Sequence, residues 1–432
     1  MTVRKLLAAF AALAIPLAPL GVYAAADIPI SGALPHGGTY VLYRDQTIAA
    51  AAVDLWFRAP AAGYGTAAPG IGRLAATAAA AATLESGKSL YAFVRSVGGR
   101  LTINVYPDII GVSAMVPASA ARRTIAAMSA AFFSPSIDAQ ALKIARQDAA
   151  VLTVARTYSS DDVLHDALFA SIFSGGPAHY APLPDTVSAL TSVTLDDVRS
   201  FARRAFRSAN ATLSLAGNVD PAEIGAVTAG TPGSPDAPLH SDVASDPKST
   251  TISGNVGGIG IAWTGPPIGD EKAATAMDFI ADYLFRDQTG VVAKTIPATS
   301  SAYLSGQFIT LHDPGVMLVT IGGAAPDALR KQILDAVAEL ATPLDAKTFA
   351  AARNAFLYHL GVDTQQPVQQ ADNLGWYSVE GNASYAPTDP NSTYWQAAES
   401  LDPGYVASIA KRYLSHPVVI QLNAVHSKES AS

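Results

Sequence analysis

The sequence predicts an α+β protein made of two duplicated domains, each a mostly antiparallel sheet with helices packed on one face. Three observations lead there. The chain has 432 residues, long enough for two or three domains with cores of their own. The order strand, helix, hairpin, two helices, later helix and final strand occurs twice, at a spacing of about 200 residues. Between the two copies lies a stretch rich in Pro, Ser, Asp and Gly with no helical or strand period.

In the first copy, residues 39–45 and 48–58 are rich in β-branched and aromatic residues and predict two strands. An Ala-rich helix is expected over 67–83. Gly98-Gly99 then precedes a hairpin of 101–106 and 109–116, split at Pro107-Asp108. Pro117 opens a helix to about Ala131, and 138–156, 160–174 and 194–206 are also helical. Thr194-Leu195-Asp196-Asp197 is a capping-box start with Asp in place of Glu. Residues 211–217 close the copy as a strand. The second copy has a strand at 256–264 and a helix at 271–286, with Ala274, Met277, Ile280, Ala281 and Leu284 on one face. Strands at 302–310 and 315–322 follow, then helices at about 326–341 and 346–361, a helix at 403–414 and a strand at 417–423. Gly257-Gly258-Ile259-Gly260 lies inside a strand and lacks the glycine spacing of a dinucleotide-binding loop.

Residues 1–26 combine basic Arg4 and Lys5, an apolar run from Leu6 to Val22, and a small-residue end at Ala24-Ala25-Ala26. That pattern is a cleavable secretory signal peptide, favoured over an uncleaved anchor by Pro16 and Pro19. The expected layout is therefore a signal peptide at 1–26, an N-terminal domain at 27–228, a linker at 229–250 and a C-terminal domain at 251–432. The expected location is periplasmic or secreted, with no membrane association of the mature chain. A net charge of -7 argues against nucleic acid as the main partner. The absence of Cys excludes disulfides, thiolate metal sites and a Cys nucleophile.

Several segments, in order, bring a family into view. Leu34-Pro35-His36-Gly37-Gly38 precedes the first strand. Val53-Asp54-Leu55-Trp56-Phe57-Arg58 forms the second, and Pro69-Gly70-Ile71 opens the Ala-rich helix. Val97-Gly98-Gly99 precedes the hairpin. Leu190 to Val198, Ala211-Thr212-Leu213 and Gly217-Asn218-Val219-Asp220 end the first copy. Over nearly all of the mature chain this resembles the insulinase/pitrilysin-type metallopeptidases, which include the mitochondrial processing peptidase and its non-catalytic partner subunits.

The resemblance implies a helical His-x-x-Glu-His. Two His one turn apart would hold zinc, and the Glu would serve as base for the attacking water. Counting from Gly70, the three positions carry Arg73, Ala76 and Thr77 instead. The family's distal Glu would fall near Val151 or Leu152, with Asp148 the nearest carboxylate. A guanidinium does not ligate zinc, and Thr is a poor ligand, so neither metal nor cofactor is expected. The resemblance also implies an Arg and a Tyr in the second half that face the substrate carbonyl. Tyr303 matches the Tyr. The Arg position falls at about Ile296, with Lys294 the nearest cation. Among other constellations, Asp161, Asp162, His165 and Asp166 offer donors a metal could use, and read in preference as an acidic helix start. His179 reads as a loop residue, His359 as a packing-boundary residue, and Asn210-Ala211-Thr212 as a chance glycosylation pattern.

The function expected is that of a secreted, catalytically degenerate partner subunit. It would form a heterodimer with a zinc-bearing homologous peptidase and help enclose and bind peptide, which can add along a sheet edge. The alternatives are an atypical active zinc metalloendopeptidase of the same family, or a periplasmic binding or scaffold protein with no protease partner.

Overall fold

The computed structural model describes residues 29–425 apart from 36, 62, 65–67, 174–179, 181, 185, 229, 238–247, 298, 324–325 and 382. The expected signal peptide, His36, His179 and residues 238–247 of the expected linker lie outside the described residues.

The first half runs β1 (Ile30–Ala33), β2 (Thr39–Arg44), β3 (Ala50–Arg58), α1 (Ile71–Ala81), α2 (Leu90–Ser96), β4 (Arg100–Val105) and β5 (Ile109–Pro117). It continues with α3 (Ala121–Phe133), α4 (Ala139–Arg156), α5 (Ser160–Ile172), α6 (Leu195–Ala205) and β6 (Ala211–Gly217). The second half runs β7 (Thr250–Gly254), β8 (Gly258–Thr264), α7 (Glu271–Phe285), β9 (Tyr303–Ile309) and β10 (Val316–Gly322). It ends with α8 (Pro326–Glu339), α9 (Ala346–Asp363), α10 (Pro367–Glu380), α11 (Thr393–Glu399), α12 (Pro403–Tyr413) and β11 (Val418–Ala424). Local chemistry explains several starts. Thr194 and Asp197 form the reciprocal capping box of α6. Asp138 and Asp270 cap α4 and α7. Pro367 and Pro403 sit in the first turns of α10 and α12, where a missing N–H costs nothing.

Both halves are mixed α+β sandwiches. The first sheet has the order β1-β2-β6-β3-β5-β4 and the second β7-β11-β8-β10-β9. In each, one pair is parallel (β2 with β6, β11 with β7), and the remaining pairs are antiparallel. Dropping β1, the two orders correspond strand for strand, so the repeat seen in the sequence is a repeat of topology.

The central strands carry unbroken buried runs: Ala51–Phe57 in β3, all of β6, Gly258–Trp263 in β8 and all of β10. A strand buried at consecutive positions is covered on both faces, because successive side chains point to opposite sides. The helices of each half cover one face. The other is covered by a helix from the opposite half: α5 lies on β8, β10 and β11, while α10 lies on β2, β3, β5 and β6. By their place in the repeat, α5 and α10 are counterparts, so the halves exchange equivalent helices.

Glycine seats both crossings. A Cβ on Gly375 of α10 would lie 2.0 Å from Trp56 Nε1 and 2.4 Å from Ser214 Oγ. On the other side the glycines are in the strand. A Cβ on Gly260 would lie 2.8 Å from Leu168 Cδ1, and one on Gly258 would lie 3.0 Å from Leu164 Cδ1. The Gly-rich run of β8 is therefore a bed for α5.

Polar groups fasten the α10 crossing. Trp56 Nε1 donates to Ser214 Oγ at 3.2 Å. Trp376 meets Trp56 edge-on at 6.0 Å and Tyr106 at 4.7 Å, and its Nε1 donates to the Thr310 carbonyl at 2.8 Å. Arg58 Nε donates to the Val379 carbonyl at 2.9 Å, and His312 Nδ1 donates to the Glu380 carbonyl at 2.7 Å. Two pairs of acids lie in the same seam, with Asp54, Asp108 and Glu380 buried and Asp372 half-buried. Asp54 on β3 faces Asp372 on α10, and Asp108 in the β4–β5 turn faces Glu380 at the end of α10. Burial raises the pKa of all four carboxyls, and Asp372 rises to about 6. Asn210, in the glycosylation pattern, is buried. Its amide donates to the Arg58 and Ala205 carbonyls, so it is a bracing residue rather than an acceptor site.

Gly375→Ala should cost about 1–3 kcal/mol of unfolding free energy by overpacking α10 against Trp56. Urea unfolding checks this, and an unchanged midpoint would refute the seating role of Gly375. The raised carboxyl pKa values set the sign of the pH dependence. The folded chain keeps protons on these acids that the unfolded chain releases above about pH 4. Stability contributed by the seam is thus full below that point and falls as pH rises through the folded pKa values. Melting temperature should drop between about pH 5 and 8, and Glu380→Gln should flatten that slope. A slope of the opposite sign, or one untouched by the substitution, would contradict the assignment.

Candidate functional site

Helix α1 opens after Gly70, which adopts a left-handed backbone (φ 82°) that the tight entry requires. From Leu74 to Ala80 every residue of α1 is buried. Arg73, Ala76 and Thr77, the three positions where the family resemblance places zinc chemistry, lie on this helix. Ala76 is 0 % exposed and Thr77 1 % exposed. Thr77 sits beside the phenol of Tyr91. Arg73 is half-buried at the edge of a cavity of about 440 Å³. Its Nη1 donates to the Ile103 carbonyl of β4 at 2.6 Å. Burial lowers the guanidinium pKa, and the field of Asp148 opposes that shift. Asp148 itself is exposed, as is Val151, while Leu152 is half-buried.

These donors do not fit zinc. The helix offers a cation, a methyl and a hydroxyl where two imidazoles and a carboxylate are needed. Among the described residues, no group of three or more His, Asp or Glu is arranged to hold a metal ion.

The far wall of the cavity is α5, with Asp161, Asp162, His165 and Asp166. Asp161 and Asp162 do lie in its first turn, as an acidic helix start would. The cluster also works as a set of bolts. Asp161 accepts from Thr320 on β10, and Ser160 Oγ donates to the Gly257 carbonyl at 2.9 Å. Arg156 pairs with Asp166 at 2.6 Å and donates to the Pro184 carbonyl at 3.0 Å. The Tyr180 hydroxyl donates to Asp166 at 3.3 Å. His165 stacks on Phe169.

The two second-half residues separate. Tyr303, the first residue of β9, is 38 % exposed, and its ring lies over Gly322. Its hydroxyl lies by Ser160 and Asp161, and burial raises its pKa. Tyr303 thus reaches the helix that walls the Arg73 cavity. Lys294 is exposed on a short turn whose neighbour Thr295 bonds Gln332 on α8.

Sequence reasoning missed a second polar group, beside β9 in a cavity of about 360 Å³. Asp282 on α7 lies 2.9 Å and 3.0 Å from His359 Nδ1 on α9. Arg286 grips Asp363 with two bonds, at 2.5 Å and 2.8 Å. Asp278 accepts from the Tyr394 hydroxyl at 2.8 Å, and burial pushes its carboxyl pKa up to about 7. The four-residue spacing of Asp278 and Asp282, which puts both on one helix face, was the available signal. A larger cavity, of about 800 Å³, lies apart from both, between the end of α1 and α3, with Ala, Ser and Thr side chains forming most of its lining.

Residues 192–356 match the family model described as the peptidase M16 inactive domain. A search of curated proteins finds no match. Among solved structures, a protease from Helicobacter pylori superposes with a TM-score of 0.77 at 15 % identity, covering 91 % of this chain and 99 % of that one. A peptidase M16 inactive domain from Pseudomonas fluorescens superposes at 0.73 and 14 % identity, covering 94 % and 100 %. A putative M16-like peptidase from Alicyclobacillus acidocaldarius superposes at 0.74 and 15 % identity, covering 91 % and 98 %. The resemblance to the insulinase/pitrilysin group thus has support at two levels: residues 192–356 are similar to the M16 inactive domain, and the two-sheet α+β fold is shared with M16-like peptidases. The α1 positions where that group carries its zinc motif hold Arg73, Ala76 and Thr77.

Proposed function

We propose that the chain is a non-catalytic M16-type partner subunit, exported from the cytoplasm, that helps enclose peptide for a zinc-bearing homologous subunit. The observation that carries this reading is the donor set Arg73, Ala76 and Thr77 on α1. A cation bonded to a backbone carbonyl, a buried methyl and a buried hydroxyl cannot activate water at this position. What the site retains is shape: a cleft between the edge of the first sheet and a helix that also supports the second. Tyr303 reaches that helix from the far side. The basic, apolar and small-residue sequence of 1–26 supports export. No described helix is long and apolar enough to cross a membrane.

Purification from the native host with metal analysis tests the proposal. A co-purifying homologue with a His-x-x-Glu-His motif is expected, with zinc in that subunit and none bound stoichiometrically by this chain. One tightly bound zinc per copy of this chain, with chelator-sensitive peptidase activity of the isolated protein, would overturn it. Recovery of unrelated envelope proteins alone would also overturn it.

A further inference from the structure

The contact made by Arg73 has a meaning beyond the loss of a metal ligand. β4 is the last strand of the first sheet, so one side of it has no neighbouring strand. Backbone groups of an antiparallel strand point alternately toward and away from its partner. Tyr106 N–H donates to the Ile109 carbonyl at 2.9 Å, which fixes the phase of the hairpin. Counting back by twos, Asn104, Thr102 and Arg100 turn their backbone groups toward β5. Leu101, Ile103 and Val105 turn theirs to the free edge. The carbonyl that receives Arg73 Nη1 is therefore the middle acceptor of that edge. An unpaired edge is a template for any extended polypeptide, and a charged side chain laid against it is one way proteins blunt such an edge.

We propose that Arg73 is an edge guard: its guanidinium takes the place of an incoming strand at Ile103, so the β4 edge of the first sheet refuses extended peptide although a cavity lies beside it. The side chain is built into this position rather than draped over it. Its Nε is buried with no hydrogen-bond partner, and no carboxylate lies within ion-pairing distance of its guanidinium among the described residues. Among the described residues, the Ile103 carbonyl is thus its one hydrogen-bond partner. The refused partner is an unfolded segment in extended conformation, whatever its sequence, because backbone groups do the recognising. The inference goes beyond the partner-subunit reading and concerns this chain alone. In a heterodimer it would leave strand addition to the zinc-bearing subunit and enclosure to this one.

The test uses the isolated chain and a fluorescent peptide of about twelve residues alternating Thr with Val. Binding is read by anisotropy, and amide exchange is followed at Leu101, Ile103 and Val105. Wild type is expected to bind weakly, with no change in exchange at those amides. Arg73→Met, which keeps the aliphatic stem and removes the donors, is expected to bind about tenfold tighter, roughly the worth of one or two recovered hydrogen bonds. Exchange at the three amides should then slow, and N-methylation of alternate peptide amides should abolish the gain. Arg73→Gln, shorter than the native side chain, serves if the Met variant does not fold. Peptide-induced protection of these amides in the wild-type chain would overturn the proposal without any variant. So would a folded variant with no gain in affinity. The partner reading stands or falls separately, on co-purification and zinc content.

Discussion

Everything else in this fold depends on the exchange of α5 and α10 between the halves. A sheet whose central strands are apolar at every position needs cover on both faces, and each half has helices for only one. The exchange supplies the missing layer twice. It also explains where the small residues sit. The backbones approach closely because Gly375 on one crossing, and Gly258 and Gly260 on the other, leave no Cβ in the way. The two halves are thus joined through their cores as well as along the chain, and neither can expose its second face without losing the other's helix.

The same exchange decides what the cleft is made of. One wall is the edge strand of the first sheet, and the other is α5, whose opposite side packs on the second sheet. The acidic start of α5 is spent on fastening: Asp161 to Thr320, and Asp166 to Arg156 and Tyr180. A carboxylate already engaged in this way is a poor recruit for metal binding. Arg73 on the facing helix adds a positive charge to the place where a cation would have to enter. The chemistry of both walls points the same way, toward a held shape and away from a bound ion.

Much of the fold was legible because its signals are local. Period-two and period-3.6 runs mark most strands and helices through α9, with short β1, α2 and β7 the exceptions, and the repeat of their order predicts the paired architecture. Helix α10 was not legible. It has Pro367 in its first turn, but Gly375 stands mid-helix, and both faces carry apolar residues because it is sandwiched between two cores. Strand β7 begins at Thr250, the last residue of the expected linker, and its pairing with β11 depends on contacts about 170 residues away. At the site, the substitutions at Arg73, Ala76 and Thr77 could be counted directly from Gly70. What Arg73 does with its guanidinium could not, since that requires the phase of a hairpin about 30 residues further on.

The repeat also sharpens the reading of the site. α7 and β9 occupy in the second half the places of α1 and β4 in the first. On α7 the polar residues Asp278 and Asp282 turn toward α11 and α9 partners, Tyr394 and His359. On α1, Ala76 and Thr77 stay buried within the helical layer, and Arg73 crosses to the strand edge. The duplicated scaffold therefore holds two solutions to one geometric problem, a helix lying beside an exposed strand. In one the helix keeps its charges within a helical layer. In the other a single cation leaves that layer and engages the strand. The strand order is shared, so the two halves differ in where their polar side chains engage: at Arg73 in the first, at Asp278 and Asp282 in the second.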